Sequence, residues 1–216
     1  IIEHCPPPRL RLSSLEPGEI TSDLLELIAN EPSLCPHLHI PLQSGDATFL
    51  SRWNRHYHPD FYRELVLDAT QRIPDLAVGA DVLVGFPGET DECFQNSYRL
   101  IESLPIAYLH VFPYSPRPTT PAATMSAQVP PSVIRQRSGL LRELDQAKRL
   151  TFLQRFLGEM RQVLVENRRD EASSMQCGFT DNYLPVLVPA DASLENQVVM
   201  ARLDRLEGNK LVALPV

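Results

Sequence analysis

No two cysteines of this sequence stand at the close spacing of a metal-binding motif. The chain has 216 residues and four widely scattered cysteines: Cys5, Cys35, Cys93 and Cys177. Spacings such as CxxC or CxxxCxxC therefore do not occur, which argues against a zinc or iron–sulfur site held by cysteines of this sequence. Scattered cysteines are typical of free thiols in a reducing cytosol.

Long apolar runs are also missing. The sequence contains no secretory signal and no run of about 18 apolar residues, the minimum for a membrane-spanning helix. We therefore expect a soluble cytoplasmic protein with no membrane partner. The formal net charge of -7 argues against a generally basic nucleic-acid coat, although a local basic face remains compatible with it.

Several catalytic motifs are absent as well. Ser44 lies in QSGD rather than in the GxSxG of a nucleophile elbow. Neither HExxH nor GxxxxGK[ST] occurs, and no GxGxxG follows a predicted strand. The sequence thus gives no sign of a zinc protease, a P-loop enzyme or a serine hydrolase.

The stretch from Gly79 to Glu92, GADVLVGFPGETDE, predicts a strand, a glycine-bearing turn and the start of a helix. Thr90 or Asp91 can cap that helix, and acidic residues in its first turn suit the helix dipole. Such units place ligands at the carboxyl ends of parallel strands. Asp81, just ahead of the apolar run, is expected to point into a barrel or a cleft.

Similar units precede and follow this stretch, which predicts part of a β/α barrel or an open parallel sheet. On helix 59–73 we expect Phe61, Leu65, Val66 and Ala69 to share one face. The predicted strands are 9–13, 38–42 and 107–112, and the predicted helices are 20–30, 47–53, 59–73 and 89–104.

The second half of the chain has a different pattern. A basic helix is predicted from Ser132, as its cap, to about Met160, followed by five short alternating segments that predict a small β-barrel. The segments are 162–166, 176–180, 184–188, 197–206 and 210–214. We expect three parts: a β/α part over 1–125, a connecting helix over 126–160 and a barrel over 161–216.

Polar residues follow each predicted strand of the first half. Any one of them has an ordinary alternative: His39 as an interior histidine, Glu16 as a turn residue, or the GFPGE turn as purely structural. Polar residues after four consecutive strands would lie at one face of the barrel or sheet, which favours a ligand site. The residues are Ser13, Ser14 and Glu16; His39, Gln43, Ser44 and Gly45; Gly85, Gly88 and Glu89; and Tyr114, Ser115 and Arg117.

The amino-acid sequences of five segments resemble those of the radical-SAM methylthiotransferases, which attach a methylthio group to tRNA or to a ribosomal protein. The SSLEP and FPYSPRPTTPA forms look most like the branch that acts on N6-threonylcarbamoyladenosine at position 37 of tRNA. The other branches act on isopentenyladenosine or on ribosomal protein S12. The segments are LRLSSLEPGEI (10–20), CPHLHIPLQSGD (35–46), LSRWNRHYHPDFYRELV (50–66), GADVLVGFPGETDECF (79–94) and LHVFPYSPRPTTPAATM (109–125).

The resemblance implies the C-terminal part of a radical-SAM barrel followed by a TRAM-like β-barrel. It also implies S-adenosylmethionine (SAM) and [4Fe-4S] clusters as cofactors. The family's CxxxCxxC motif does not occur here, and the four cysteines match none of its cluster positions. We therefore expect an N-terminally truncated enzyme that is inactive alone.

The resemblance further implies two sets of site residues. Arg55 is a candidate for the SAM carboxylate or a substrate phosphate, and its alternative is a solvated arginine. For SAM we expect Ser14, Glu16, Gln43, Ser44, Arg55 and Gly85. For the tRNA anticodon arm we expect Arg135, Arg142, Lys148, Arg149, Arg168 and Arg169 on phosphates, with Phe179 and Tyr183 stacking on bases.

Three other interpretations stay open at this point. The basic helix can be an ordinary solvated face, and the two aromatic residues can belong to a core. The chain can be a tRNA-binding module without catalysis. It can also be a different β/α enzyme that needs no cluster.

Overall fold

The structure, a computed structural model, describes residues 7–53 and 55–216; Cys5 lies outside these ranges. Its first half alternates helices and strands. Three parallel strands pair in the order β1-β2-β3, which confirms the predicted α/β class. The elements are α1 (Ser22–Asn30), β1 (His37–His39), α2 (Ala47–Arg52), α3 (Pro59–Arg72), β2 (Ala77–Val84), α4 (Asp91–Ser103) and β3 (Tyr108–Pro113).

Two threonines cap helices of this half, and one of them, Thr90, is a cap that the sequence predicts. The side chain of Thr21 accepts a hydrogen bond from the backbone N–H of Leu24 at the start of α1. The side chain of Thr90 accepts one from Cys93 N–H at the start of α4. Each bond satisfies a backbone donor that the helix itself cannot pair.

One prediction for this half is wrong, and one residue of the predicted face of α3 is exposed. Residues 9–13 form no strand, and only Leu10 makes an isolated parallel bridge, with Leu34. The alternation there reflects a chain that runs beside the sheet without pairing along it. On α3 the buried aromatic residue is Tyr62, which is fully buried and donates to the carbonyl of Ile40, whereas Phe61 is 43% exposed.

The second half contains a short helix, a long helix and a closed barrel. The barrel order is β4-β5-β6-β8-β7, which confirms the predicted small β-barrel. The elements are α5 (Pro121–Thr124), α6 (Pro131–Gln154), β4 (Met160–Arg169), β5 (Gln176–Thr180), β6 (Pro185–Val188), β7 (Val198–Glu207) and β8 (Lys210–Pro215).

The bounds of α6 differ from those predicted. Ser132 is not its cap: Pro130 is the cap, and the helix begins at Pro131, whose ring fixes a φ that suits the first helical position. The helix ends at Gln154, and Met160 already belongs to β4, where it pairs with Arg202. Gly158, at φ +87°, lies in the turn between them.

Helix α6 covers the edge of the sheet at β3. The carboxylate of Asp145 accepts a hydrogen bond from the backbone N–H of Leu109 at 2.6 Å. Arg149 donates to the carbonyl of the same residue at 3.1 Å. Because Asp145 and Arg149 also pair with each other at 2.8 Å, one helical ion pair replaces the next strand at this position.

The barrel docks on the sheet through a polar cluster. Arg161 on β4 pairs with Asp75, which precedes β2, and with Asp181 at 3.3 Å. The side-chain amide of Asn182 donates to the carbonyl of Asp75 at 3.1 Å. These contacts fix the turn between β5 and β6 against the amino ends of the parallel strands.

Candidate functional site

A cavity of about 570 Å³ lies between the parallel sheet and the barrel. The sheet contributes polar and aromatic side chains, and the barrel contributes the turn after β5. Among the lining residues are Arg11, His39, Asp81, Tyr108, His110, Arg149, Phe179 and Tyr183.

Strand periodicity brings the sheet residues of this cavity together. In parallel register Gly79 lies beside Tyr108, and Asp81 lies beside His110. Alternate residues of a strand share one face, so these side chains all project towards the barrel. A Cβ at Gly79 would lie 2.2 Å from the Tyr108 ring, so the glycine makes room for that ring.

A series of hydrogen bonds links four of these groups to the buried His37. The phenol of Tyr108 lies 2.8 Å from His37 Nε2 and 3.3 Å from His39 Nδ1. The carboxylate oxygen Oδ1 of Asp81 then lies 2.8 Å from His39 Nε2 and 3.2 Å from His110 Nδ1. These hydrogen bonds run from the buried His37 to the exposed His110 at the rim of the cavity.

Burial moves the pKa values of two of these groups further from neutral pH. It lowers the pKa of His37 to about 4, with a further lowering from the positive charge of Arg11. It raises the pKa of the Tyr108 phenol to about 12. Both groups therefore serve as neutral hydrogen-bond partners near pH 7.

The barrel side of the cavity presents a pair of stacked aromatic rings. The centroids of Phe179 and Tyr183 are 4.4 Å apart, and the ring planes differ by 8°. Tyr183 has φ +66° in the turn after β5, and the Arg11 guanidinium lies 4.0 Å from its ring centroid. A stacked pair with a cation on one face is suited to a planar, electron-rich ligand.

A second cavity, of about 500 Å³, contains the predicted pair of Glu16 and Arg55. The guanidinium of Arg55 lies 2.8 Å from the Glu16 carboxylate, whose side chain is half exposed. Tyr57 lines the same cavity and donates to the carbonyl of Leu42 at 2.9 Å. Both charges are therefore anchored yet reachable from solvent.

The other residues predicted for SAM do not converge on this second cavity. Ser14, at φ +57°, lines the first cavity. Gln43, at φ +60°, bridges to Val82 on β2. Ser44 is buried, with its hydroxyl 3.2 Å from that of Ser97.

Gly85 makes room for a side chain of the protein itself. It has φ +83°, and a Cβ there would lie 2.3 Å from Cγ1 of Ile134 on α6. Its N–H donates to Glu89 Oε2 at 2.9 Å. Burial raises the pKa of Glu89, and Arg137, whose Nη1 lies 2.6 Å from the carboxylate, opposes that rise.

Internal contacts occupy several of the cations predicted to bind tRNA. Lys148 donates to the carbonyls of Glu102 and Leu104, and Arg149 pairs with Asp145. Arg168 pairs with Glu166 at 3.3 Å on the barrel surface. Three more are exposed and form no ion pair within residues 7–53 and 55–216: Arg135, Arg142 and Arg169.

Sequence reasoning missed three residues of the first cavity, Arg11, Tyr108 and His110, and it missed the burial of Arg137. The alternation of the predicted strand 107–112 does place Tyr108 and His110 on one face, which was a usable signal. Arg137 belongs to the helix that the sequence predicts to be basic. Its burial depends on where α6 packs, and no local pattern reports that.

Comparison with known proteins first defines the class. Residues 6–101 match the family model described as the radical SAM superfamily. In fold the chain is similar to coproporphyrinogen III oxidase from Escherichia coli, a radical SAM enzyme. That similarity has a TM-score of 0.51 at 23% identity and covers 70% of this chain and 34% of the other.

The sequence relatives are more specific. The chain is 35% identical over 197 residues to threonylcarbamoyladenosine tRNA methylthiotransferase MtaB of Bacillus subtilis, covering 90% of this chain and 44% of that protein. It is 37% identical to MtaB of Aquifex aeolicus, covering 82% and 42%. It is also 39% identical to tRNA-2-methylthio-N(6)-dimethylallyladenosine synthase of Clavibacter michiganensis, covering 75% and 31%.

These findings confirm the resemblance read from the motifs: residues 6–101 match the radical SAM superfamily, and the sequence relatives include tRNA methylthiotransferases, which are enzymes. It spans less than half the length of these relatives. Within the part of the chain that the structure describes, no helix is long and apolar enough to cross a membrane.

Proposed function

We propose that this chain is part of a tRNA methylthiotransferase that converts N6-threonylcarbamoyladenosine at position 37 to its 2-methylthio derivative. The observation that carries the proposal is the 35% identity to MtaB over 197 residues, which is long enough to include the parallel sheet and at least part of the barrel. In this proposal residues 1–125 belong to the radical-SAM barrel, 126–160 connect, and 161–216 form a TRAM-like domain. Its setting would be the cytoplasm.

Two charged residues fit the amino-acid end of SAM. The carboxylate of Glu16 and the guanidinium of Arg55 complement an ammonium and a carboxylate, and both face the second cavity. When bound with an iron–sulfur cluster, SAM supplies the radical and methyl-transfer chemistry of this family. Within residues 7–53 and 55–216 the three cysteines, Cys35, Cys93 and Cys177, do not group into a ligand set.

In this proposal the other residues predicted for SAM do not contact it directly. Ser14 and Gln43 hold left-handed turns at the ends of their segments. Ser44 and Gly85 support the turns around them, because their own contacts are with Ser97 and Ile134. They would therefore shape the cofactor site rather than contact the cofactor.

The first cavity fits an adenosine of the tRNA anticodon arm. The stacked rings of Phe179 and Tyr183 offer a face for a base, and Arg11 offers charge for phosphate. Arg149 also lines this cavity and would bind phosphate only if it released Asp145. Exposed Arg135, Arg142 and Arg169 would extend phosphate binding beyond the cavity. Lys148 and Arg168 would contribute only if they exchanged their present partners.

Mass spectrometry of tRNA nucleosides tests the reaction and its substrate. Deleting the gene that encodes this chain should abolish 2-methylthio-N6-threonylcarbamoyladenosine and leave the 2-methylthio derivative of isopentenyladenosine unchanged. The intact gene should restore the lost nucleoside, whereas versions with Arg55→Ala or Glu16→Ala should restore much less. Unchanged nucleosides after deletion would exclude the proposed reaction.

One observation favours a second substrate. The chain is 39% identical to the dimethylallyladenosine synthase of Clavibacter michiganensis, about as similar as it is to the MtaB proteins. If the deletion removed the isopentenyladenosine derivative instead, the reaction class would stand and the substrate would change. A non-catalytic tRNA-binding module would leave both nucleosides intact while the chain still bound tRNA.

A further inference from the structure

We propose that His39, Asp81 and His110 form a binding site for one divalent first-row transition metal ion, and that zinc suits it best. The site would be additional to SAM and to any iron–sulfur cluster. It opens on the cavity between the sheet and the barrel, where all three residues lie. The argument does not depend on the proposed reaction.

The three ligand atoms already converge. One ligand atom from each residue lies within 4.8 Å of the other two. Asp81 Oδ1 is 2.8 Å from His39 Nε2 and 3.2 Å from His110 Nδ1. Two ligands of a tetrahedral zinc ion are about 3.3 Å apart, since each lies about 2.0–2.1 Å from the metal. Small rotations of the imidazole rings therefore suffice to admit the ion.

The ligands come from three adjacent strands of one sheet. His39 ends β1, and Asp81 and His110 are direct neighbours in the parallel register of β2 and β3. Backbone hydrogen bonds thus fix the spacing of the side chains before any ion binds. A site built on strands holds its geometry better than one built on loops.

The burial of the three residues is graded from interior to rim. The side chain of His39 is 8% exposed, that of Asp81 22% and that of His110 51%. Three protein ligands with one side open to solvent match zinc sites that keep a free coordination position. That position would face the cavity and accept water or an oxygen or nitrogen atom of a bound ligand.

A further hydrogen bond orients the inner ligand. His39 Nδ1 lies 3.3 Å from the Tyr108 phenol, which also contacts His37 Nε2 at 2.8 Å. Metal-bound histidines commonly use the second ring nitrogen in this way, and the bond directs Nε2 towards the metal. Gly79 leaves room for the Tyr108 ring, so this support depends on three strands at once.

The chemistry of the ligands selects the class of ion. Two imidazole nitrogens and one carboxylate suit zinc and other first-row transition ions rather than magnesium or calcium, which prefer oxygen alone. No thiol is near, because none of the described cysteines joins the group. Two neutral imidazoles and one carboxylate carry a single negative charge, which a divalent cation offsets.

Calorimetric titration of the purified 216-residue chain with zinc chloride tests the site, and cobalt absorption in the visible range reports nitrogen coordination. One equivalent should bind. His110→Gln should weaken binding at least about tenfold, and Tyr108→Phe should weaken it about tenfold. The exposed position of His110 makes the His110→Gln chain expected to fold, which circular dichroism checks.

Two controls separate this site from incidental binding. His56→Gln removes an exposed histidine outside the group and should leave the affinity unchanged. The double variant His4→Gln, Cys5→Ser removes two metal-binding residue types near the start of the sequence and should also leave it unchanged. The proposal fails if the unmodified chain binds no stoichiometric zinc, or if His110→Gln binds as tightly as His56→Gln.

Discussion

Arg137 and Glu89 form a buried ion pair that joins the long helix to the glycine turn after β2. Nη1 of Arg137 lies 2.6 Å from Glu89 Oε2, and the same oxygen accepts the N–H of Gly85 at 2.9 Å. Arg137 also pairs with Asp91 at 2.7 Å. Through these contacts the Arg137–Glu89 pair connects α6, the glycine turn and the start of α4.

Removing the cation of this pair should destabilise the protein strongly. Arg137→Met leaves the Glu89 carboxylate buried without its partner, which should cost about 3–5 kcal/mol of unfolding free energy. Urea unfolding followed by circular dichroism measures the change. Arg135→Met, two residues earlier and exposed, should cost less than about 0.5 kcal/mol. Equal stability of the two variants would show that the pair does not hold the turn.

Gly85 should resist even the smallest side chain. Gly85→Ala combines a left-handed backbone at φ +83° with a Cβ 2.3 Å from Ile134, so a loss of about 1–3 kcal/mol is expected. Gly139→Ala is the matched control. Gly139 lies on α6, the helix that carries Ile134, and a Cβ added there would have nothing within 4 Å. That change should stabilise α6 by up to about 1 kcal/mol.

A double variant separates the two causes at Gly85. If contact with Ile134 dominates, Ile134→Ala should offset part of the loss caused by Gly85→Ala. If the positive φ dominates, the two losses should simply add. A stable Gly85→Ala single variant would contradict both.

Asp145 should protect the backbone amide of Leu109, at the edge of the sheet, from hydrogen exchange. Asp145→Ala leaves the N–H of Leu109, a residue 3% exposed, without its acceptor, which should cost about 1–3 kcal/mol. Hydrogen exchange at the Leu109 amide should accelerate accordingly. Glu143→Ala removes an exposed carboxylate of the same helix and should leave that amide unchanged. Equal exchange in both variants would mean that the edge is protected by other contacts.

Local patterns predicted the elements that depend on near neighbours in sequence. The apolar run Val82–Val84, the cap at Thr90 and the alternation of the last 55 residues identified strands, a helix start and the barrel. The exposure of Phe61 was not predicted, because helix periodicity does not say which of two neighbouring aromatic residues packs inwards. Turn chemistry likewise does not say which side chain Ser44 contacts. Ser44 contacts Ser97 on α4, and Phe61 lies outside while Tyr62 is buried.

The candidate site was harder to predict than the fold, for a physical reason. Its inner wall comes from alternate residues of β2 and β3, and its outer wall comes from a barrel more than 60 residues later. Phe179 and Tyr183 were predicted to stack on bases, which remains a prediction, and the structure places them on this cavity. Their position depends on the docking contacts of Arg161 with Asp75 and Asp181, which no local pattern encodes.

The affinity of the purified chain for an anticodon stem-loop tests the central claim most directly. The claim is that the cavity between sheet and barrel receives a tRNA adenosine, so Tyr183→Ala should weaken binding by about 1–3 kcal/mol, or roughly 5–150-fold. Phe61→Ala, an aromatic residue of the other cavity, should leave the affinity unchanged. Fluorescence anisotropy with a stem-loop carrying N6-threonylcarbamoyladenosine at position 37 measures both. Equal affinities for the Tyr183→Ala and Phe61→Ala chains would contradict the account.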